Sequence, residues 1–176
     1  MQTHHHNSTL KIKLKRCIVC GQPKGWFSKK RCKDCARIQD TMAAIEEGEE
    51  EQSESLSILI ADADLLFSRY IRQKARNERN EVACFICGKI VPYSESQCMH
   101  YIPRSNLYLR WDDRNCTAGG RCCNEYKGGN LIAYAAKLEE RSPGITEILY
   151  TESKIPYKPT RNELKELIAD LSKKVK

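Results

Sequence analysis

Ten cysteines and one isolated histidine dominate the chemistry available to this 176-residue chain. Cys17 and Cys20 are separated by two residues, as are Cys32 and Cys35, with eleven residues between the pairs. Each Cys-x-x-Cys turn lets two thiolates face one ion, and two such turns complete a tetrahedral zinc shell. A segment this short has little core of its own, so bound metal would supply its folding energy. Cys84 and Cys87 make a third such turn, again followed by glycine, and four further cysteines (Cys98, Cys116, Cys122 and Cys123) are available to close a second shell. Cys123 is the expected third ligand, because it should open a helix through "CCNEYKGGNLIAYAAKLEE" and face back to the turn. Cys122 is assigned the fourth place, with Cys116 and Cys98 as alternatives.

His100, in "CMHYIPRSN", is the sole histidine outside the tail triplet His4–His6. It could complete a shell of three cysteines and one histidine, fill a structural niche, or act as a base. The cysteines alone already exceed what the second shell requires. Asn115 lies fifteen residues beyond His100, and Asn124 nine beyond that. A histidine on one strand, an asparagine at the next and a ligand on the following helix make a ββα unit that can bind one divalent cation. In such a unit a neutral imidazole, with an ordinary pKa of about 6.5, takes a proton from water. The cation stabilises the phosphorane and the leaving oxygen.

These residues need elements to hold them. "LSILIADADLLFSRYIRQKARNER" carries Leu59, Ala63, Leu66 and Tyr70 at helical spacing, followed by Arg69, Arg72, Lys74, Arg76 and Arg79, which suit a helix C-terminus and could meet phosphates. Near the C-terminus, Thr160 and Glu163 form a capping box ahead of Leu164, Leu167, Ile168, Leu171 and Val175. The expected organisation is a flexible basic tail over 1–16, a four-cysteine finger over 17–40 and an acidic linker over 41–56. A helix plus the histidine-bearing block follow over 57–150, and a C-terminal amphipathic helix over 151–176.

Charge and composition narrow the function classes. Between Lys11 and Arg37 ten basic residues face only Asp34, and the acidic run "EEGEEEQSE" follows directly within a net charge of +7. That separation of sign suits a polyanion-binding module and a solvated linker. No signal peptide opens the chain and no apolar run approaches the ~20 residues that span a bilayer, so a cytoplasmic protein without membrane contact is expected. Paired cysteines there indicate metal rather than disulfides.

"CFICG", "CMHYIPRS", "LRWDDRN" and "CCNEYKGGNLIAYAAKL" together resemble the HNH (His-Me finger) endonucleases, and more closely the NinG, or Rap, recombination nucleases of lambda-type phages. The resemblance covers most of the chain. It implies an α+β fold: a small zinc-stabilised, treble-clef-like ββα-metal core with an N-terminal zinc finger and flanking amphipathic helices. It implies an endodeoxyribonuclease acting on branched recombination intermediates such as Holliday junctions and D-loops, with two structural Zn²⁺ and a catalytic Mg²⁺ or Mn²⁺. His100 then matches the general base, Asn115 the asparagine that orients the strand loop, and Asn124 the residue on the metal. Lys127 and Asn130 match polar residues further along that helix. Arg104 and Lys127 are candidates to grip phosphate, which favours arginine and lysine. Met99 stands where an acidic or histidine ligand is usual, and Gly120 where the lambda-type pattern has a cysteine. A symmetric junction substrate would favour a homodimer. The competing expectation is a non-enzymatic, zinc-stabilised nucleic-acid-binding protein.

Overall fold

The structure is a computed structural model that describes residues 17, 20, 26–28, 31–47 and 55–175. The basic tail, residues 1–16, and most of the acidic run lie outside the described residues.

Two four-residue strands organise the rest: β5 (Gln97–His100) pairs antiparallel with β6 (Cys116–Gly119), in the register His100↔Cys116, Met99↔Thr117 and Cys98↔Ala118. Side chains alternate across a strand, so Cys98, Cys116 and Ala118 face one way while Met99 and Thr117 face the other. On the first face lie α2 (Leu56–Lys74) and α5 (Arg161–Lys174), which bury Leu59, Ala63, Leu66, Phe67, Leu164, Ile168 and Leu171 against the hairpin. On the second lie α3 (Leu131–Arg141), α4 (Ile145–Glu152) and the Cys84–Cys87 turn, with Met99, Leu109, Tyr134, Leu138 and Leu149 as their core. That turn joins β3 (Glu81–Ala83) to β4 (Ile90–Pro92), an antiparallel pair.

Both amphipathic helices form as their periodicity predicts. In α2, Leu59, Ala63 and Leu66 are buried and Tyr70 packs partly buried beside them. The capping box of α5 is complete: Glu163 donates its N–H to Thr160 Oγ1 and accepts the Thr160 N–H at 2.7 Å. Among the described residues no helix is long and apolar enough to cross a membrane.

Three expectations need correction. The helix expected through "CCNEYKGGNLIAYAAKLEE" is broken: a π-helical turn covers Cys122–Tyr126, and α3 starts only at Leu131. Gly128, Gly129 and Asn130 all adopt positive φ, a conformation that glycine takes without strain and asparagine tolerates. The linker does not begin at residue 41, because α1 (Lys33–Glu47) leaves the finger and continues through "TMAAIEE", a run rich in helix formers. Nor are all the arginines of α2 available to phosphate, since Arg69 and Arg72 are buried. Arg69 Nη2 donates to Cys35 Sγ at 3.0 Å, while Arg72 lies over the Tyr93 ring.

The finger is therefore docked. Its small hairpin, β1 (Trp26–Ser28) with β2 (Arg31–Cys32), leads into α1. From α1, Arg37 pairs at 2.6 Å with Asp62, whose side chain is wholly buried in α2. Ile38 joins the first core.

Tyr134 ties α3 to the strands. Its hydroxyl accepts from Thr117 Oγ1 at 2.7 Å and lies 3.2 Å from the Met99 carbonyl, in a fully buried position. Tyr134→Phe leaves these groups unpaired, so it should cost about 1–3 kcal/mol in denaturant unfolding, whereas the same change at exposed Tyr150 should cost almost nothing.

Candidate functional site

The finger gathers four buried sulfurs, from Cys17, Cys20, Cys32 and Cys35, within 4.8 Å of one another. Tetrahedral zinc with bonds of about 2.3 Å spaces its sulfurs by about 3.8 Å, and Cys20 Sγ lies 3.9 Å from Cys32 Sγ. Donors already point at these sulfurs, from the Cys32 N–H to Cys17 at 3.2 Å and from Arg69 to Cys35. Without a cation the thiols resist ionisation. Burial pushes the Cys32 thiol up, and hydrogen bonding to Cys20, then burial, does so for Cys35. A divalent ion reverses that balance, so this donor set fits zinc closely.

The second cluster holds three sulfurs, from Cys84, Cys87 and Cys123. Burial alone would raise the Cys84 thiol, yet backbone N–H groups of Cys87, Gly120 and Ile86 hold it below its ordinary pKa. Cys123 is pushed up to about 12 by burial and then by its two neighbouring thiols. Cys122 does not join this group. It is exposed, because successive residues on the π-helical turn point in different directions and Cys123 takes the inward one. The remaining ligand position opens on a cavity of about 490 Å³ whose lining includes Glu95, Gln97, Gly120 and Cys122. Zinc fits here as well, in an open shell.

His100 closes β5, and the loop that Asn115 pins carries its hydrogen-bond partner. His100 Nε2 lies 3.0 Å from the Arg110 carbonyl; a carbonyl only accepts, so Nε2 carries the proton and Nδ1 the lone pair. Burial, opposed by that carbonyl and reinforced by Arg104, holds the imidazole pKa below its ordinary value. The ring is thus neutral at pH 7. Asn115, fully buried, accepts the Ile102 N–H at 2.7 Å and donates to the carbonyls of Ile102 and Leu109, both at 3.0 Å. Its side chain pins both ends of the loop between the strands and so fixes the carbonyl that orients His100.

Asp64 on α2 anchors the same loop, and sequence reasoning missed it. It accepts from Arg110 Nε at 2.8 Å, from Trp111 Nε1 at 3.0 Å and from Arg104. Burial would raise its carboxyl, but hydrogen bonds and charge from Arg110 and Arg104 outweigh burial and hold it below the usual range. The available signal was a pair of acids, Asp62 and Asp64, in the otherwise apolar "ADADLLF". Arg104, exposed, reaches the vicinity of His100 through this pairing.

The other expected residues lie elsewhere. Asn124 donates to Gln97 Oε1 at 2.8 Å, and Gln97 alternates to the opposite face of β5 from His100. Lys127 is exposed beyond the π-helical turn, and Asn130 is the left-handed residue that precedes α3. Met99 is buried in the second core, its thioether filling the space beside Gly119, where a Cβ would approach it to 2.4 Å. Among the described residues every group of three or more metal-donor side chains is built on cysteine, and the third comprises Cys98, His100 and Cys116. The hard-oxygen set that Mg²⁺ or Mn²⁺ prefers is not assembled at His100.

The family described as "Bacteriophage Lambda NinG protein" matches residues 27–176. The chain belongs to the NinG family. The protein ninG of Salmonella phage P22 is 28% identical over 121 residues, which make up 68% of this chain and 57% of that protein. The NinG-family chain therefore spans little more than half the length of this relative. No solved structure matches it.

The two clusters of this NinG-family chain differ in closure, and zinc exchange should report the difference. A weak chelator should strip the three-sulfur site first and leave the four-sulfur finger loaded, read by element analysis over time. Simultaneous loss from both sites would contradict the open-shell geometry.

Proposed function

We propose that this NinG-family chain is an endonuclease that hydrolyses phosphodiester bonds in DNA, with His100 as the general base. The observation that carries this reading is the preorganised imidazole: half-buried, neutral, and aimed by the Arg110 carbonyl within a loop that Asn115 pins. In the proposed reaction a water on a backbone phosphate gives its proton to His100 Nδ1, and its oxygen attacks phosphorus as the ester oxygen departs with the bonding pair and takes a proton from solvent. Arg104 and Arg110, paired with Asp64 and close enough for their charge to act on His100, are the guanidinium groups offered to the phosphate. The positive balance of the chain, +7 overall, suits a polyanion. Branched DNA and dependence on Mg²⁺ or Mn²⁺ follow from the HNH and NinG resemblance. The two thiols beside His100 do not match a hard cation, so that dependence rests on the resemblance alone.

A second reading has its own support. Met99 occupies a core position where an HNH metal ligand is usual, and two thiols flank His100. Both features suit a zinc-stabilised protein that binds nucleic acid without cutting it.

One assay separates the two readings. Supercoiled plasmid and a four-way junction are incubated with Mg²⁺, Mn²⁺ or EDTA. The wild type should nick DNA, and His100→Ala should lose about 10²–10⁴ in rate while the zinc of the two structural clusters, thermal stability and DNA affinity stay near wild type. A wild type that binds DNA with a steep salt dependence but never cuts it would favour the non-enzymatic reading. Cleavage by His100→Ala at the wild-type rate would remove His100 from the chemistry.

A further inference from the structure

The three side chains that meet at the end of the hairpin, Cys98, His100 and Cys116, serve neither structural cluster. Cys98 and His100 are two apart on β5 and so share a face, and Cys116 stands directly opposite His100 in the strand register. Their two sulfurs and one ring nitrogen lie within 4.8 Å of one another, with Cys116 buried and the other two half-buried. Both cysteines are free thiols. The hydrogen bond from the imidazole to the Arg110 carbonyl is of the kind that orients metal-ligating histidines and raises their basicity.

From this juxtaposition we propose that Cys98, His100 and Cys116 form a third metal site, selective for Zn²⁺ and similar thiophilic ions. The donor set of two thiolates and one imidazole suits zinc and excludes Mg²⁺. Three protein ligands leave one coordination position for water. On binding, the two thiols release their protons to solvent and His100 commits its single lone pair to the metal. Part of the proposal rests on the nuclease reading above: a histidine holding zinc cannot take a proton from water, so occupancy of this site silences the enzyme. Zinc would thus be structural in two places and inhibitory in a third.

The test uses the full chain carrying its two structural zinc ions, titrated with Co²⁺ and, separately, with Zn²⁺. Wild type should bind one further equivalent with a thiolate-to-cobalt charge-transfer absorption. The double variant Cys98→Ser, Cys116→Val should lack that band, and His100→Ala should bind about tenfold or more weakly. Valine at 116 keeps an apolar group in the buried position, and Cys98→Ser alone serves as the second variant should the double one fail to fold. In the nicking assay, added Zn²⁺ should lower the wild-type rate by about tenfold or more, while the double variant's own rate, whatever its value, should not fall further. Absence of a further equivalent, or an unchanged cobalt band in the cysteine variants, overturns the site. A third equivalent that binds as expected but leaves cleavage unaffected overturns only the inhibition. If no DNA is ever cut, the nuclease reading falls while the cobalt titration still decides the site.

Discussion

The hairpin of β5 and β6 is buried on both faces, and the two-residue period of a strand turns that constraint into a division of labour. Odd and even positions must satisfy different neighbours: Cys98, Cys116 and Ala118 pack under α2 and α5, while Met99 and Thr117 pack under α3 and the cysteine turn. Sliding the strands by one residue would exchange these sets and place a thioether where an imidazole belongs. The register is held by Tyr134 on one side and by the Asn115 contacts at the open end. Neither core is large, and each depends on the same eight strand residues.

A loop of irregular backbone runs between the strands, and its precision comes from a few polar side chains. Asn115 meets three backbone groups, and Asp64 meets two arginines and a tryptophan. Buried amide and carboxylate groups are costly when unpaired, so their full satisfaction selects one loop conformation strongly. His100 inherits its orientation from that selection. The direction of the imidazole is thus fixed by Asp64 on α2 and by Asn115, just before β6.

Much of this was legible because local rules suffice for it. Cys-x-x-Cys spacing specifies a turn with two parallel thiols, and the stripe of α5 with its Thr160–Glu163 box specifies a helix and its start. The intervals linking His100, Asn115 and Asn124 anticipated the strand–loop–strand layout, yet Asn115 acts on His100 only through the loop that it pins, and Asn124 bonds Gln97 instead. Asn124 falls after the hairpin, where the positive-φ run Gly128–Asn130 and the bond to Gln97 redirect the chain. Cys122 was misjudged for a similar reason, since the inward direction of one helical turn admits Cys123 and not its neighbour. Asp64 escaped notice because its partners are 40 or more residues away in sequence. The pairing of Cys116 with His100 depends on strand register, which no local pattern encodes.

Arg69 has a wider consequence. Its guanidinium, sunk in α2 beneath the finger, rests on the sulfur of Cys35, and Arg37 of the finger answers Asp62 of the same helix. Each side of this boundary supplies a charge that the other has buried. The finger is consequently not an interchangeable cassette: transplanted to another scaffold it would leave two orphaned ionic groups behind in α2 and carry an unanswered arginine with it. Recombination between relatives that exchanged finger and body separately would produce incompatible halves unless these four positions travelled together.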